Sequence, residues 1–528
     1  MNRQSMLTRL DARDEWDVIV VGGGASGLGC AVDAASRGLS TLLLEQADFA
    51  QGTSSRSTKL VHGGVRYLKQ GNVGLVREAL RERGRMYRNA PHLVRDLQFI
   101  VPRYSWWEGP FYGIGLKLYD VLAGKLNFGK SRTLDPQETL ELIPNLEDDE
   151  LLGGVMYHDG QFDDSRMALA LAFTAVDHGG CMLNHARVEG LLKNDKGLIG
   201  GVRFVDRLTG DVREVHGKAV INATGVFTDG LRRMDDNDAH AICRPSQGVH
   251  IVLPKRFLQG DTAIMVPHTD DGRILFAIPW HGRALVGTTD TPLESASLEP
   301  IPTREEVGFI LRNANRYLED DPDESDILSC FAGIRPLISK GGGADTKSLS
   351  RKHEVLVSAS GLITLAGGKW TTYRQMAEDA VDEAIAIAGL PDNACVTSAM
   401  HLHGWMARDD PEMPTDDHLH YYGSDARRIG DLVRGAPELG EALHPELPYS
   451  KAQVVWGVRE ELACTVEDVL SRRLRGLLLH ARASVEAAPE VARIMAAELG
   501  HDTSWEKAQV RAYQELARTY LPDGLPEH

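Results

Sequence analysis

Three closely spaced glycines, Gly22, Gly24 and Gly27, are the first residues in the chain that could do chemistry. They follow a short apolar run rich in β-branched residues, 17–21, and precede a segment of small residues typical of a helix. In this spacing the first glycine permits a tight turn, the second lets the backbone approach a pyrophosphate, and the third packs the helix on the sheet. The helix N-terminus would then face the phosphate charge, with Ser26 in its first turn. The motif therefore predicts a dinucleotide site.

An acidic residue, Glu45, ends the second predicted strand, where a carboxylate would bond the ribose hydroxyls of a dinucleotide. A lone glycine triplet would be weak evidence for a dinucleotide site. Here the strand, turn, helix, second strand and acidic residue together make a complete βαβ unit, which is strong evidence. The alternative to a dinucleotide site is an α/β turn that binds no ligand. The segment 219–230 repeats the strand-to-glycine theme at Gly225, so we expect the nucleotide-binding domain to be assembled from separated segments.

A stretch rich in hydroxyl groups and glycine, 53–67, follows the acidic strand and suits the second half of a bulky cofactor. A nicotinamide enzyme would not need it. Interpreting it as a polar surface loop leaves Gly63, Gly64, His62 and Arg66 unexplained.

Four blocks carry a more specific signal: 20–27, 54–67, 333–336 and 367–374. Together they resemble the FAD-dependent, quinone-linked glycerol-3-phosphate dehydrogenase family, and 465–473 looks like that family's C-terminal signature. The resemblance extends from about residue 15 to beyond residue 475. It implies noncovalent FAD, oxidation of sn-glycerol 3-phosphate to dihydroxyacetone phosphate in glycerol catabolism, hydride transfer to flavin N5, and a quinone acceptor.

The same resemblance assigns roles to individual residues. It places Gly22, Gly24, Ser26, Gly27, Glu45, Ser54, Ser57, Thr58, His62, Gly63, Gly225, Gly368, Lys369 and Thr371 at the cofactor. It places Arg66, Tyr67, Arg335, Arg351 and Lys369 at the substrate. Arginine suits a phosphate dianion because its guanidinium makes bidentate contacts. An isolated arginine is more often a surface charge, so position within the motifs is what favours Arg66 and Arg335.

Histidine is the side chain best suited to accept the hydroxyl proton of a secondary alcohol, because a neutral base near pH 7 is needed. His250, on a predicted strand, matches the position that the resemblance assigns to the base, with Arg335 also assigned to catalysis. His62 is the alternative, although its place between Val61 and Gly63 favours packing beside the flavin. Either residue could instead be a hydrogen-bonded structural histidine.

These residues require an α/β fold: a Rossmann-like FAD-binding domain, an antiparallel-sheet substrate domain and a C-terminal helical domain. We assign 15–100 to FAD binding, with 150–235 and 355–390 contributing, 101–150 and 236–354 to a substrate-binding or cap domain, and 395–528 to the helical domain. Short strands at 249–253, 274–278 and 284–288 predict the antiparallel sheet. Thr465 to Asp468 matches a capping box, with Arg472, Arg473 and Arg475 toward the helix end.

Charge and hydropathy limit the partners. With 58 basic and 75 acidic residues the net charge is -17, which disfavours nucleic acid and anionic lipid. Residues 1–16 have no apolar core typical of a secretory signal, and no window has the ~18 apolar residues of a membrane span. Six scattered cysteines indicate a reducing compartment. We expect a cytoplasmic protein, peripheral on the cytoplasmic face of a membrane, with no metal; a homodimer is a further option.

The aromatic-rich segment 104–119 has two interpretations of equal weight, a docking patch at a bilayer surface near a quinone or a cover over the active site. Rival functions are an oxygen-dependent glycerol-phosphate oxidase and an amine or amino-acid oxidase of related fold. A non-catalytic dinucleotide-binding scaffold and an FAD protein that modifies RNA are less favoured.

Overall fold

The computed structural model describes residues 1–64, 72–106, 108–339 and 353–527. Its helices are α1 (Arg3–Asp11), α2 (Ala25–Ser36), α3 (Val73–Asn89), α4 (Glu108–Ala123), α5 (Pro136–Leu142), α6 (Asp164–Asp177), α7 (Thr228–Asp235), α8 (Arg304–Ala314), α9 (Tyr373–Ala388), α10 (Asp417–His420), α11 (Ala426–Gly435), α12 (Lys451–Glu460), α13 (Gly476–Leu479), α14 (Ala481–Leu499) and α15 (Thr503–Arg518). Its strands are β1 (Glu15–Val21), β2 (Thr41–Leu44), β3 (Leu60–Val61), β4 (Val94–Pro102), β5 (Arg132–Leu134), β6 (Gly154–Phe162), β7 (Cys181–Leu183), β8 (Ala186–Lys193), β9 (Ile199–Asp206), β10 (Val212–Asn222), β11 (Cys243–Pro254), β12 (Ala263–Val266), β13 (Leu275–Trp280), β14 (Arg283–Gly287), β15 (Thr291–Pro292), β16 (Ser329–Ile338), β17 (Glu354–Val357) and β18 (Ile363–Ala366).

Strand β1 lies inside a largely parallel sheet of order β17-β18-β10-β1-β2-β7, extended antiparallel from β10 by β9 and β8. It pairs in parallel with β2 on one side and β10 on the other, which explains its unbroken run of buried β-branched residues. Helix α2 leaves directly after β1. A Cβ at Gly29 of α2 would lie 2.9 Å from the ring of Tyr373, so glycine lets α2 and α9 pack closely. This confirms the predicted Rossmann-like unit.

A second sheet has the order β15-β11-β14-β13-β12-β4-β6-β3, with β16 joined to β11 and β5 to β6. The predicted strand 249–253 falls within β11, and those at 274–278 and 284–288 overlap β13 and β14; the three are antiparallel, whereas β12 and β4 pair in parallel. The predicted boundaries at 100 and 150 assign most of β4 and all of β6 to FAD-binding segments. Both strands pair in this sheet, and Phe99 and Tyr157 share a buried cluster with residues of the C-terminal region.

The predicted C-terminal helical region covers one face of the second sheet. Trp280 and Phe331 of the sheet share a buried cluster with Val469 and Leu477 of that region. The opposite face carries Ile251 and is covered by α8. Because successive residues of a strand point to opposite faces, His250 lies on the side of the C-terminal helices.

The predicted capping box forms as expected. The Thr465 hydroxyl accepts from the Asp468 N–H at 3.1 Å, and the Asp468 carboxylate accepts from the Thr465 N–H at 3.0 Å. A π-helix, Asp468–Arg473, follows. Within the described ranges, no helix combines the length and the apolar character needed to cross a bilayer.

Candidate active site

The glycine turn after β1 leaves no room for side chains. Gly22 has φ +112°, and a Cβ there would lie 2.5 Å from the Ala223 carbonyl oxygen. A Cβ at Gly27 would lie 1.8 Å from the Gly22 carbonyl oxygen. The bare backbone at the start of α2 therefore borders a cavity of about 340 Å³, which Gly24 and Ser26 also line.

Glu45 is held at the edge of this cavity by two backbone donors. Its carboxylate accepts from the Gly23 N–H at 2.6 Å and from the Ala47 N–H at 2.9 Å. Burial raises the pKa of Glu45, and these two bonds oppose the shift. Ser54 and Gly225 line the same cavity, and the Ser54 hydroxyl accepts from the Ala25 N–H at 2.9 Å. The predicted ribose acid thus has a fixed orientation beside the helix N-terminus.

A second cavity of about 310 Å³ adjoins the first. Both are lined by Thr53, Pro336, Gly368, Lys369 and Trp370. The indole N–H of Trp370 donates to the Ser54 carbonyl at 2.8 Å, and the His62 N–H donates to the Thr371 hydroxyl at 3.3 Å. These bonds join the turn at 367–371 to the stretch 53–62. The two adjoining cavities together extend from the α2 N-terminus to the second sheet.

His250 lines the second cavity at the sheet end of this space. Its Nε2 lies 2.9 Å from the Thr58 hydroxyl, and its ring stacks on Phe331 with centroids 5.1 Å apart. Burial lowers the pKa of His250 well below its usual range, and the charges of Lys59 and Arg335 lower it further. The imidazole is therefore neutral at pH 7, as a proton acceptor must be.

Arg335 lines the same cavity and is oriented by a ring of oxygens. Its guanidinium donates to the Thr289 carbonyl at 2.9 Å and forms an ion pair with Asp290 at 3.2 Å. A Cβ at Gly248 would lie 2.4 Å from Nη2 of Arg335, so glycine lets the guanidinium lie flat across β11. A fixed, planar cation at the cavity wall suits a phosphate or carboxylate.

Other predicted site residues lie less directly at the cavities. Ser57 lines the second cavity, but its hydroxyl donates to Asp164 at 2.7 Å. Gly63 packs against Tyr119 and Leu80 in close contact, and its N–H donates to the Tyr119 hydroxyl. Arg66, Tyr67 and Arg351 lie outside the described residues.

Several residues that shape this site were not predicted from the sequence. Gly287 faces His250, and a Cβ there would lie 2.3 Å from the imidazole Cδ2. Arg56 and Arg273 add two cations to the lining of the second cavity. Lys59 and Asp164 form a fully buried ion pair at 2.7 Å. Lys59 lies within a block quoted for the resemblance, whereas Asp164 is 105 residues away and no spacing rule connects the pair.

Comparison with known proteins decides the family. The FAD dependent oxidoreductase model matches residues 17–374, and the model for the C-terminal domain of alpha-glycerophosphate oxidase matches residues 362–509. Mitochondrial glycerol-3-phosphate dehydrogenase of Homo sapiens is 42% identical over 550 residues, covering 98% of this chain and 75% of the relative. A probable mitochondrial glycerol-3-phosphate dehydrogenase of Caenorhabditis elegans is 42% identical with the same coverage. The chain belongs to the FAD-dependent glycerol-3-phosphate dehydrogenase family.

A solved structure agrees with this assignment. The glycerol-3-phosphate dehydrogenase of Bacillus halodurans, complexed with FAD, superposes with a TM-score of 0.80 at 29% identity, covering 100% of this chain and 99% of that chain. Glycine oxidase of Geobacillus kaustophilus shares the fold with a TM-score of 0.52 at 19% identity, covering 75% of this chain.

The residues present fit FAD, the cofactor of the family. The bare glycine cradle and the α2 N-terminus suit the pyrophosphate, and the oriented Glu45 suits the ribose. The second cavity gives room for the flavin beside His250, at the end farther from Glu45.

Proposed function

We propose that this enzyme oxidises sn-glycerol 3-phosphate to dihydroxyacetone phosphate in glycerol catabolism. Bound FAD supplies the hydride acceptor. The observation that carries the proposal is the neutral, oriented imidazole of His250 in the same cavity as the fixed guanidinium of Arg335. A secondary alcohol with a phosphate one carbon away needs these two groups, a proton acceptor and a phosphate-binding cation.

In this proposal His250 accepts the proton of the C2 hydroxyl. Its low pKa keeps the ring unprotonated before substrate binds, and the Thr58 hydroxyl holds the ring in place through Nε2. His62 also lines the cavity, but its backbone is joined to the turn at Thr371, which supports a place beside the flavin. His250 is therefore the better candidate.

Arg335 would bind the phosphate, with Lys369 at the junction of the two cavities. Arg273 is a further cation at the cavity wall, paired with Asp271 at 2.9 Å. A dianion held by several cations gains affinity from each charge-assisted bond. Arg66, Tyr67 and Arg351 remain proposed substrate contacts on the sequence resemblance alone.

We also propose that the electrons pass to a quinone and that the protein contacts the cytoplasmic face of a membrane. Ile114, Leu118 and Val121 are exposed and lie on one face of α4, and the exposed Trp106 precedes that helix. Such a row of apolar side chains is typical of a helix that lies in the plane of a bilayer surface. It supports the docking interpretation of the aromatic segment.

The decisive experiment is anaerobic titration of the purified yellow protein with glycerol 3-phosphate while flavin absorbance is recorded. Bleaching at stoichiometric substrate is expected. An oxidised spectrum that persists with glycerol 3-phosphate but bleaches with an amine or amino acid would overturn the proposal.

The second candidate is an oxygen-dependent glycerol-phosphate oxidase, because the C-terminal region matches a domain described for that enzyme. Reoxidising the bleached protein with either air or a short-chain quinone separates the two. Fast reoxidation by quinone without peroxide is expected, whereas stoichiometric peroxide would favour the oxidase.

A further inference from the structure

Asp164 lies at the centre of a buried polar cluster behind His250. One carboxylate oxygen accepts from the Lys59 ammonium at 2.7 Å and from the Ser57 hydroxyl at 2.7 Å. The other accepts from the Arg475 guanidinium at 2.9 Å. The side chains of Asp164 and Lys59 are fully buried, and that of Arg475 is almost so. An ion pair this deep is costly to form unless every partner is well placed, so its geometry is well defined.

This cluster fixes the stretch that carries Thr58. Lys59 and Arg475 both donate to the Ser55 carbonyl, at 2.8 and 2.9 Å. Lys59 has φ +62°, a conformation that costs free energy for a residue with a side chain and persists only where surrounding contacts hold it. Residues on both sides of Thr58 are thus held by Asp164.

The lysine is also close to the base. Its ammonium lies 5.3 Å from the ring centroid of Phe331, and the imidazole of His250 stacks on the same ring. Burial lowers the pKa of Lys59 to about 7, against the opposing attraction of Asp164.

We propose that Asp164 and Arg475 are positioning residues for His250: they hold the 57–59 stretch so that the Thr58 hydroxyl orients the imidazole and the Lys59 cation lies behind it. Since Arg475 belongs to the C-terminal region, this gives that region a role in catalysis. The inference rests on the proposed role of His250 as proton acceptor.

The charged groups that face His250 determine the direction in which its pKa should move when Lys59 is replaced. Lys59 and Arg335 both disfavour an imidazolium, and Asp164 and Asp290 partly neutralise them. Replacing Lys59 by methionine removes one cation at nearly constant volume, so the pKa of His250 should rise. A nearby charge typically moves a pKa by about one to three units.

The first test is the pH profile of anaerobic flavin reduction by glycerol 3-phosphate in the FAD-loaded wild type, Lys59→Met and Arg166→Met. Arg166 forms another buried ion pair, with Glu461 of the C-terminal region, but it contacts no residue of 55–59 among the bonds described. We expect the acid limb to move to higher pH by about one unit in Lys59→Met and to stay in place in Arg166→Met. Identical profiles in Lys59→Met and wild type would overturn the inference.

The second test needs no turnover. Carbon-13 labelling at the histidine ε1 position reports the titration of His250, assigned from the signal lost in His250→Gln. We expect a higher midpoint in Lys59→Met than in wild type. Unchanged midpoints would contradict the placement of the cation, whether or not glycerol 3-phosphate is the substrate. If glycerol 3-phosphate fails to bleach the flavin of the wild type, the proposed function is contradicted instead.

Arg475 can be tested by a graded pair. In Arg475→Met we expect kcat to fall about 10- to 100-fold with KM changed less than about threefold, since the base is misplaced while the phosphate cations remain. Arg475→Lys keeps a charge and should recover part of kcat. If Arg475→Met fails to fold, Asp164→Asn is the alternative variant, because asparagine has nearly the same shape as aspartate. It should show the same loss of kcat while retaining FAD. Wild-type kcat in the variant that folds would overturn the inference.

Discussion

Arg335 and His250 project from the same face of two paired strands. His250 is opposite Phe331 in the β11–β16 ladder, and Arg335 lies four residues beyond Phe331 on β16. Because the side-chain period of a strand is two, the residues at these positions face the same cavity. The distance between His250, the proposed proton acceptor, and Arg335, the proposed phosphate-binding cation, is therefore set by the ladder itself, not by a loop.

Replacing the base should therefore affect chemistry rather than binding. For His250→Gln we expect flavin reduction to slow by about 10²- to 10⁴-fold, because an amide cannot accept the proton. Substrate affinity should change less than about threefold, since Arg335 keeps its position. Stopped-flow reduction over a range of glycerol 3-phosphate concentrations separates the two quantities. Reduction at the wild-type rate would remove His250 from the mechanism.

Replacing Arg335, the proposed phosphate-binding cation, should weaken substrate binding rather than slow the chemical step. Arg335→Gln should weaken glycerol 3-phosphate binding by about 1.5–3 kcal/mol, the value of a charge-assisted bond. Arg335→Lys should recover only part of this, because an ammonium cannot reproduce the planar fork. Arg434→Gln, at an exposed position of α11, is the matched control and should bind as wild type does. Equal affinity in Arg335→Gln and the control would place the phosphate elsewhere.

The glycine turn offers a test of the cofactor cradle. A Cβ at Gly27 would lie 1.8 Å from the Gly22 carbonyl oxygen, so Gly27→Ala must displace the turn that is expected to face the pyrophosphate. We expect the purified variant to lose its yellow colour or to bind added FAD at least tenfold more weakly. Gly435→Ala has open space around its Cβ and should keep full FAD content. Normal FAD content in Gly27→Ala would mean that the cradle lies elsewhere.

The sequence predicted most of what local patterns can determine. The Gly22 turn, the position of Glu45 directly after the second strand and the strand around His250 each depend on neighbours close in sequence, and all three local structures are present. The Asp164 cluster was not predicted, because its partners Lys59 and Arg475 are brought together only by the tertiary fold. The arginines after Thr465 were expected to complement a helix end. They are instead buried against acids, Arg473 against Asp48 among them.

His403 should make stability depend on pH. When protonated, its ring donates from Nδ1 to the Asp177 carboxylate at 2.7 Å and from Nε2 to the Asp425 carboxylate at 2.9 Å; these acids belong to α6 and to the C-terminal region. Burial lowers its pKa, but the two carboxylates outweigh this and raise it to about 9. A raised pKa in the folded state stabilises the protein fully below the unfolded pKa of about 6.5, and this contribution is lost as pH rises through 9.

The measurement is the difference in the free energy of unfolding between wild type and His403→Gln from pH 6 to pH 9.5. We expect wild type to be more stable by on the order of 2 kcal/mol near pH 6, with the difference much reduced at pH 9.5. Phe173 stacks on the ring, with centroids 4.4 Å apart, and glutamine loses this contact at every pH, so only the pH-dependent part tests the ion pairs. A difference that is constant from pH 6 to 9.5 would contradict the raised pKa.

The apolar face of α4 makes a prediction about membranes. Ile114 and Val121 are 72% and 74% exposed, and Leu118 lies between them on the same side of the helix. Insertion of these side chains into a bilayer surface would gain about 1.5–3 kcal/mol for each one that is fully buried. We expect the triple serine variant of Ile114, Leu118 and Val121 to bind phosphatidylcholine vesicles at least tenfold more weakly than wild type in co-sedimentation.

Zwitterionic lipid is chosen because the net charge of -17 repels an anionic surface. Val212→Ser, at a position 62% exposed at the start of β10, controls for the loss of one exposed apolar residue and should bind as wild type does. Equal sedimentation of the triple variant and wild type would return the aromatic segment to its other interpretation, a cover over the active site.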